Sequence, residues 1–338
     1  MTTTMQNPLD DFFTRVRKLD KKLATGLKEY LPEWWDNSLV SSEGVSQQVI
    51  FGLAKIANIN LSTVEDRNSE LEFNKSLCKY KHASNKCVDD LQAATAIVHG
   101  MAKIAARGMT KKYLGIDTAS HLREKILNNG NKWVDFKSLL EYSWSIGVPV
   151  LYMPKLPVSK KMDAVVVMLA ERPVIALTKK HKHASNLLFS LAHELGHIQL
   201  GHLDENSLII DEKINEDDTE NPLELEANHY AIELLTGNGK NGFWSERPVS
   251  GEQLAREAKR IGLEKNIDPG HVALNYAKVM TKRGYKTSFG IANNALNIMY
   301  PKVDWNEYVR ELFISNIDEY ELSSDKFELL CKINSIEA

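Results

Sequence analysis

Apolar residues recur every three or four positions over long parts of the chain, and this period is typical of amphipathic helices. Over residues 10–31 the period predicts one helix with a basic polar face, which Pro32 is expected to end. Residues 44–110 have a mainly helical pattern as well, and helices return after the glycine-rich stretch at 237–242 and continue to about residue 330. The pattern therefore predicts helical regions at both ends of the chain.

A different pattern fills the segment between these regions. Two helices are predicted at 118–130 and 134–147, and each ends at a glycine. The stretches "VPVLYMP" and "DAVVVMLAERPVIALT" follow, and their β-branched residues predict a strand and then a hairpin with its turn at Glu171–Pro173. Helix, strand, hairpin and helix in this order indicate an α+β fold.

The change of pattern divides the chain into three predicted regions. A helical N-terminal region, which could act as a partner-binding or regulatory module, precedes a central core and a helical C-terminal region. Their expected ranges are 1–115, 116–240 and 241–338. At 338 residues the chain is long enough for two or three domains.

The stretch "SNLLFSLAHELGHIQLG" at 185–201 predicts a helix that carries metal-ligand chemistry. His193 and His197 are four residues apart and project from one face, so two imidazole nitrogens can bind one zinc ion. Glu194 lies beside them, where the glutamate of this motif serves as general base. Because the neighbouring positions are apolar, we expect the helix to be buried, and buried ionisable groups need a compensating partner.

The next histidine, His202, has the wrong spacing to complete the site. In the metzincin pattern the third histidine comes six residues after the second, whereas His202 comes five residues after His197. It also follows the expected helix stop at Gly201, and a return to the metal from there looks difficult. We therefore expect His202 to face solvent or to lie behind the ligands.

A second helix, predicted over 221–235, offers a better third ligand. At 100° per residue, Glu224 shares a face with Ala227 and Ala231, whose small side chains allow another helix to approach closely. Glu226 points away and is expected to be solvated, although it remains the alternative ligand. Asn228 lies one turn after Glu224 and is expected to hydrogen-bond a ligand histidine, with an ordinary interhelical hydrogen bond as the alternative.

The residues between the two metal helices are strongly acidic. Residues 204–220 contain eight aspartates and glutamates and one lysine. Such a stretch is usually a solvated, mobile loop. The alternatives are that it gates the cleft or attracts a basic substrate.

Three residues could by type stabilise the oxyanion of a hydrolytic transition state: His229, Tyr230 and His271. Strand residues around 174–178 could bind an extended peptide by adding it to the sheet. These two hypotheses concern how a substrate would be held once the metal site exists.

Composition and charge exclude few classes of function, but they bear on nucleic-acid binding, on membrane insertion and on location in the cell. A net charge of −3 gives no general argument for nucleic-acid binding, and residues 46–66 resemble a helix-turn-helix only as any two short amphipathic helices would. No apolar run is long enough to span a membrane. Three cysteines and the lack of a secretion-signal pattern favour the cytoplasm.

The motifs "HELGHIQLGH" and "ELEANHYAIELL", preceded by a helix, a strand and a hairpin, resemble the ImmA/IrrE family of zinc metallo-endopeptidases over about residues 118–240. The resemblance implies a zincin-like, gluzincin-like core of helices and a small mixed sheet. It also implies one Zn²⁺ held by His193, His197 and Glu224, with Glu194 as the catalytic residue. The chain departs from the family at 234–237, where it has "LLTG" and members often have "LLMP".

The same resemblance implies a cytoplasmic regulatory protease. Its expected substrate is a helix-turn-helix transcriptional repressor or an antitoxin-like partner, in a stress response, a mobile-element programme or phage defence. The alternative function is a non-catalytic, zinc-containing transcription regulator, or a toxin–antitoxin or phage-defence component that acts by binding. The presence of Glu194 favours the protease, because a structural zinc site needs no general base.

Overall fold

The computed structural model describes residues 7–74, 77–78, 85–170, 172–204, 207–211, 221–238, 242–301 and 305–334. The α-helices of this part of the chain are α1 (Pro8–Leu19), α2 (Lys21–Gly26), α3 (Glu43–Ile56), α4 (Leu61–Glu65), α5 (Asn85–Gly108), α6 (Ala119–Asn128), α7 (Phe136–Ser145), α8 (Ser185–Gln199), α9 (Pro222–Thr236), α10 (Gly251–Lys265), α11 (Pro269–Lys282), α12 (Ser288–Met299), α13 (Trp305–Asn316) and α14 (Ser324–Ile333). Short 3-10 helices span Leu27–Tyr30, Asn37–Ser41 and Glu319–Glu321. The strands are β1 (Leu77–Cys78), β2 (Val150–Tyr152), β3 (Ala164–Leu169), β4 (Arg172–Leu177) and β5 (Ser207–Asp211).

The prediction of a single helix over 10–31 is wrong, because the helix is interrupted at Asp20. The backbone of Asp20 is extended, with φ −154°, and its side chain accepts a hydrogen bond from the Leu23 amide at 2.8 Å. An aspartate cap of this kind starts a new helix, so the apolar period continues across two helices, α1 and α2. The helical character itself is confirmed.

The strands form one mixed sheet in the order β1-β5-β3-β4-β2. β3 and β4 form the predicted antiparallel hairpin, β2 runs parallel to β4, and β5 runs antiparallel to β3. Because β4 has a partner on both sides, its backbone has no free edge for a peptide. The expectation that residues around 174–178 bind a substrate by strand addition is therefore wrong.

The acidic stretch between the metal helices is not all loop, contrary to expectation. Residues 207–211 form strand β5, which pairs with β3 from Ala164 opposite Asp211 to Val167 opposite Leu208. Ile209 and Ile210 supply the β-branched side chains that favour a strand. Residues 205–206 and 212–220 of this stretch lie outside the described part of the chain.

The main apolar core surrounds the sheet and draws on all three predicted regions. It includes Leu53 and Ile97 from the N-terminal helices, Val166 from the sheet, and Phe313 and Leu330 from the last two helices. A separate apolar cluster lies between α10, α11 and α12. The boundaries at 115 and 240 stay predictions.

The α+β class is confirmed, since helices pack around a small mixed sheet. Among the described residues, no helix combines the length and apolar character needed to cross a bilayer.

Candidate metal centre

Helix α8 is buried because it packs against strands β3 and β4 and against helices α7, α9 and α11. Fully or almost fully buried apolar side chains cover much of its surface: Leu187, Leu188, Leu191, Ala192 and Leu195. His193, Glu194 and His197 are 0% exposed on the same helix. Three ionisable side chains thus lie in the interior, where charge is costly unless it is compensated.

Helix α9 spans Pro222–Thr236, one residue from the predicted range of 221–235 at each end. The Asn221 side chain accepts a hydrogen bond from the Leu223 amide at 3.1 Å, and Pro222 opens the helix. Gly237 ends it in the left-handed region, at φ +78°, where glycine carries no steric penalty. These local signals set the register that places Glu224 in the first turn.

The two metal helices approach each other closely at Gly196. A Cβ atom placed there would lie 3.1 Å from the carbonyl oxygen of Ala227 and 3.1 Å from Cβ of Tyr230. Only glycine allows this separation without a shift of α9. The expectation that the small residue Ala227 faces α8 is confirmed, and the close approach brings Glu224 to the two histidines.

The three predicted ligands converge on one point. Nε2 of His193 lies 3.0 Å from Nε2 of His197 and 3.2 Å from Oε2 of Glu224. Nε2 of His197 lies 3.5 Å from Oε1 of Glu224. No other group of three histidine, cysteine or acidic side chains among the described residues converges in this way.

These separations fit a tetrahedral metal ion. With bonds of about 2.0–2.1 Å, two ligand atoms of a tetrahedral zinc lie roughly 3.3–3.4 Å apart. The observed separations of 3.0, 3.2 and 3.5 Å bracket that value. The donor set, two imidazole nitrogens and one carboxylate, is also one that zinc prefers. The group can therefore hold a metal ion with little rearrangement.

The electrostatics of Glu224 favour its ionised form. Burial acts to raise the pKa of Glu224, but hydrogen bonds from His193 and His197, together with their charges, lower it well below the usual range. The side chain is 14% exposed. Glu224 thus supplies a carboxylate at the point where the two imidazoles converge.

Residues 145–238 match the family model of the IrrE N-terminal-like domain, Peptidase_M78. This segment is an ImmA/IrrE-family domain. It extends from the end of α7 through the sheet and both metal helices, so it contains all three converging side chains. The family is one of metallopeptidases with a zincin-like fold, and the predicted fold of the core is thereby confirmed. Searches of curated proteins and of solved structures gave no significant match.

Of the two places expected for His202, facing solvent or lying behind the ligands, the structure shows the second. In the ImmA/IrrE domain its side chain is 3% exposed, and its Nδ1 lies 2.9 Å from Nδ1 of His197. Glu226 is 56% exposed, as expected, but its Oε2 lies 2.9 Å from Nε2 of His202. Glu226 therefore contacts His202, and Glu224 is the glutamate beside the ligand nitrogens.

The remaining candidate site residues are Asn228 and the three residues that could stabilise an oxyanion, and they lie in different surroundings. Asn228 is buried on α9, and its hydrogen bond to a ligand histidine stays a prediction. His229 is exposed, and the Tyr230 hydroxyl donates to the carbonyl oxygen of Asp117 at 2.9 Å. The ring of His271 is buried and stacks on Phe189 with 6.3 Å between the ring centroids, and the Phe189 centroid lies 6.2 Å from that of His193. None of the three belongs to the group of side chains that converges on the metal position.

Sequence reasoning missed Arg123, which fixes the far end of α9. Its buried guanidinium donates to the carbonyl oxygens of Leu234 and Leu235 at 3.1 and 3.0 Å. It also donates to those of Lys265 and Asn266 at 3.1 and 2.7 Å. One side chain thus joins the C-terminal ends of α9 and α10 to α6. A single arginine on a predicted amphipathic helix carries no signal for this role.

Proposed function

We propose that the chain is a zinc-dependent endopeptidase that acts in regulation. The observation that carries this proposal is the convergence of His193, His197 and Glu224 within a metallopeptidase-family domain, with Glu194 buried beside them. The donor set and the ligand separations fit zinc, and the neighbouring carboxylate supplies the general base that hydrolysis needs.

Each residue of the site has its own role in the proposed peptide hydrolysis. His193 and His197 would hold the ion through Nε2, and the Glu224 carboxylate would compensate part of its charge. When bound, zinc would lower the pKa of a coordinated water towards about 7 and would polarise the scissile carbonyl. Glu194 accepts the proton of the attacking water and passes it to the leaving amine nitrogen. Both oxygens of Glu194 are shielded from solvent, which strengthens its interactions with developing charge.

The proposed substrate is a helix-turn-helix repressor or an antitoxin-like partner, cleaved in the cytoplasm during a stress, mobile-element or phage-defence response. The resemblance to ImmA/IrrE proteases supports this choice. The acidic sequence between α8 and α9 supports it too, because a DNA-binding substrate carries basic residues that an acidic surface attracts.

A cleavage assay with the full-length protein tests the proposal. The chain is loaded with zinc and mixed with a helix-turn-helix protein encoded next to its gene, and fragments are identified by mass spectrometry. The wild type and an exposed-site control, Glu233→Gln, are expected to cut at the same bond, and Glu194→Gln is expected to bind zinc without cutting.

Two outcomes contradict the proposal. If the zinc-loaded wild type leaves the partner intact, the protein does not act by cleaving it, and a complex between the intact proteins would favour the non-catalytic regulator. If Glu194→Gln cuts as fast as the wild type, the cleavage does not come from this site.

A further inference from the structure

We propose that Glu226 and His202 form a hydrogen-bonded chain behind His197 that fixes the orientation and tautomer of this ligand. The two residues are positioning residues, because neither belongs to the group that converges on the metal position. This inference rests on the proposed zinc site and adds the residues that hold one of its ligands in place.

The turn at the end of α8 creates the contact. Gly201 has φ +69°, a left-handed conformation that reverses the chain. The Gly201 amide donates to the carbonyl oxygen of Ile198 at 3.2 Å, and the His202 amide donates to that of His197 at 3.0 Å. This pair of bonds is the Schellman motif, which folds the next residue back over the last turn of the helix. His202 is therefore placed beside His197 by the backbone itself.

Metal binding selects one direction for the hydrogen bonds. A neutral His197 that offers the Nε2 lone pair to a metal carries its proton on Nδ1. That proton can be donated to Nδ1 of His202, 2.9 Å away, which leaves the His202 proton on Nε2. The Nε2 proton is then donated to the Glu226 carboxylate at 2.9 Å. With His202 neutral and Glu226 ionised, both hydrogen bonds form only when His197 is in the metal-binding tautomer.

The burial of the two hydrogen-bonded residues, His202 and Glu226, suits this role. The His202 side chain is almost completely buried, so its hydrogen bond to His197 has little competition from water. Glu226 lies at the surface and keeps its solvation, so its charge carries little desolvation cost. Helix α9 thus provides two glutamates with separate tasks, Glu224 beside the ligand nitrogens and Glu226 behind His197.

Zinc affinity of the full-length chain tests the proposal, measured by competition with a chromophoric chelator. Loss of groups that orient a metal ligand typically weakens binding by about 10–100-fold. His202→Phe keeps an aromatic ring but removes both nitrogens, and we expect a loss in that range. Glu226→Ala is expected to weaken zinc binding about tenfold, and Glu226→Gln, which keeps an acceptor oxygen, to restore much of that loss.

Two comparisons separate positioning from general packing. The double variant His202→Phe with Glu226→Ala should bind zinc no more weakly than His202→Phe alone, because Glu226 acts through His202. The control Glu233→Ala, at another exposed site on α9, should bind zinc like the wild type. Cobalt-substituted His202→Phe should also show an altered visible spectrum, since the His197 ring is no longer held.

The proposal is overturned if His202→Phe binds zinc within twofold of the wild type, or if the two losses multiply in the double variant. Glu226→Ala alters only an exposed side chain, so an unchanged affinity in this variant overturns the proposal even where His202→Phe does not fold. No peptide enters the measurement. A zinc-binding loss without any proteolysis would therefore contradict the proposed enzyme and leave the positioning chain supported.

Discussion

The close approach of the metal helices at Gly196 can be tested with a single methyl group. In Gly196→Ala the new Cβ would lie 3.1 Å from the Ala227 carbonyl oxygen and 3.1 Å from the Tyr230 Cβ, about 0.3 Å short of ordinary contact at 3.4 Å. Both neighbours belong to α9, so relief of the clash moves α9 away from α8. Glu224 lies on α9 and moves with it.

The expected effects follow from that displacement. Overpacking a close contact costs about 1–3 kcal/mol, and replacing glycine by alanine inside a helix returns about 0.5–1 kcal/mol. We expect a net loss of up to about 2.5 kcal/mol in the free energy of unfolding, and about 1 kcal/mol in the middle of the range. Metal–ligand distances tolerate only about ±0.2 Å, so a shift of a few tenths of an ångström should also weaken zinc binding.

Urea unfolding and zinc competition measure the two effects on the same variant. Gly52→Ala is the matched control, because Gly52 lies in the exposed part of α3 and an added Cβ meets nothing within 4 Å. It should gain about 0.5–1 kcal/mol and leave zinc affinity unchanged. If Gly196→Ala gains stability like Gly52→Ala and binds zinc like the wild type, the reasoning from helix separation is refuted.

Three further predictions concern two residues that support the helices around the site, Arg123 and Asp268, and the metal itself. Arg123→Met leaves four carbonyl oxygens at the ends of α9 and α10 without their guanidinium, and we expect a loss of about 2–4 kcal/mol in the free energy of unfolding, measured with urea. A loss below about 1 kcal/mol would contradict this. Burial raises the pKa of Asp268 to about 7. The contribution of Asp268 to stability therefore becomes less favourable as the pH rises from about 4 to 7, by at most about 4 kcal/mol. Asp268→Asn, which can still cap the His271 amide, should be stabilised over the wild type more at pH 8 than at pH 4 in thermal melts, and equal differences at both pH values would count against it. Removal of zinc with a chelator should lower the melting temperature of the wild type, because zinc at 100 times its dissociation constant adds about 2.7 kcal/mol to the free energy of unfolding. The same treatment should leave the melting temperature of Glu224→Ala almost unchanged.

Local sequence signals predicted the elements that build the site. The helix opening at Asn221–Pro222 and the helical period set the register of α9, and a rotation of 100° per residue separates Glu224 from Glu226. The motif spacing placed His193 and His197 on one face of α8. These features depend only on residues close in sequence, so the sequence alone was enough to predict them.

Other features depend on how the chain folds in space. Gly201 indicated where α8 ends, but only its left-handed φ shows that the chain returns over His197 and brings His202 to it. Gly196 gave no signal, because its role is set by a helix that follows later in the chain. Strand β5 was missed because acidic residues surround its short β-branched run.

The central claim is that His193, His197 and Glu224 hold one catalytic zinc ion. Its most direct test is the zinc content of the full-length chain at a fixed low concentration of free zinc, measured for the wild type, Glu194→Gln, Glu224→Ala and the control Glu233→Ala. We expect one zinc per chain in the wild type, in Glu194→Gln and in Glu233→Ala, and a large loss in Glu224→Ala. A wild type without zinc, or a Glu224→Ala variant that retains it fully, would show that these three side chains do not form the zinc site.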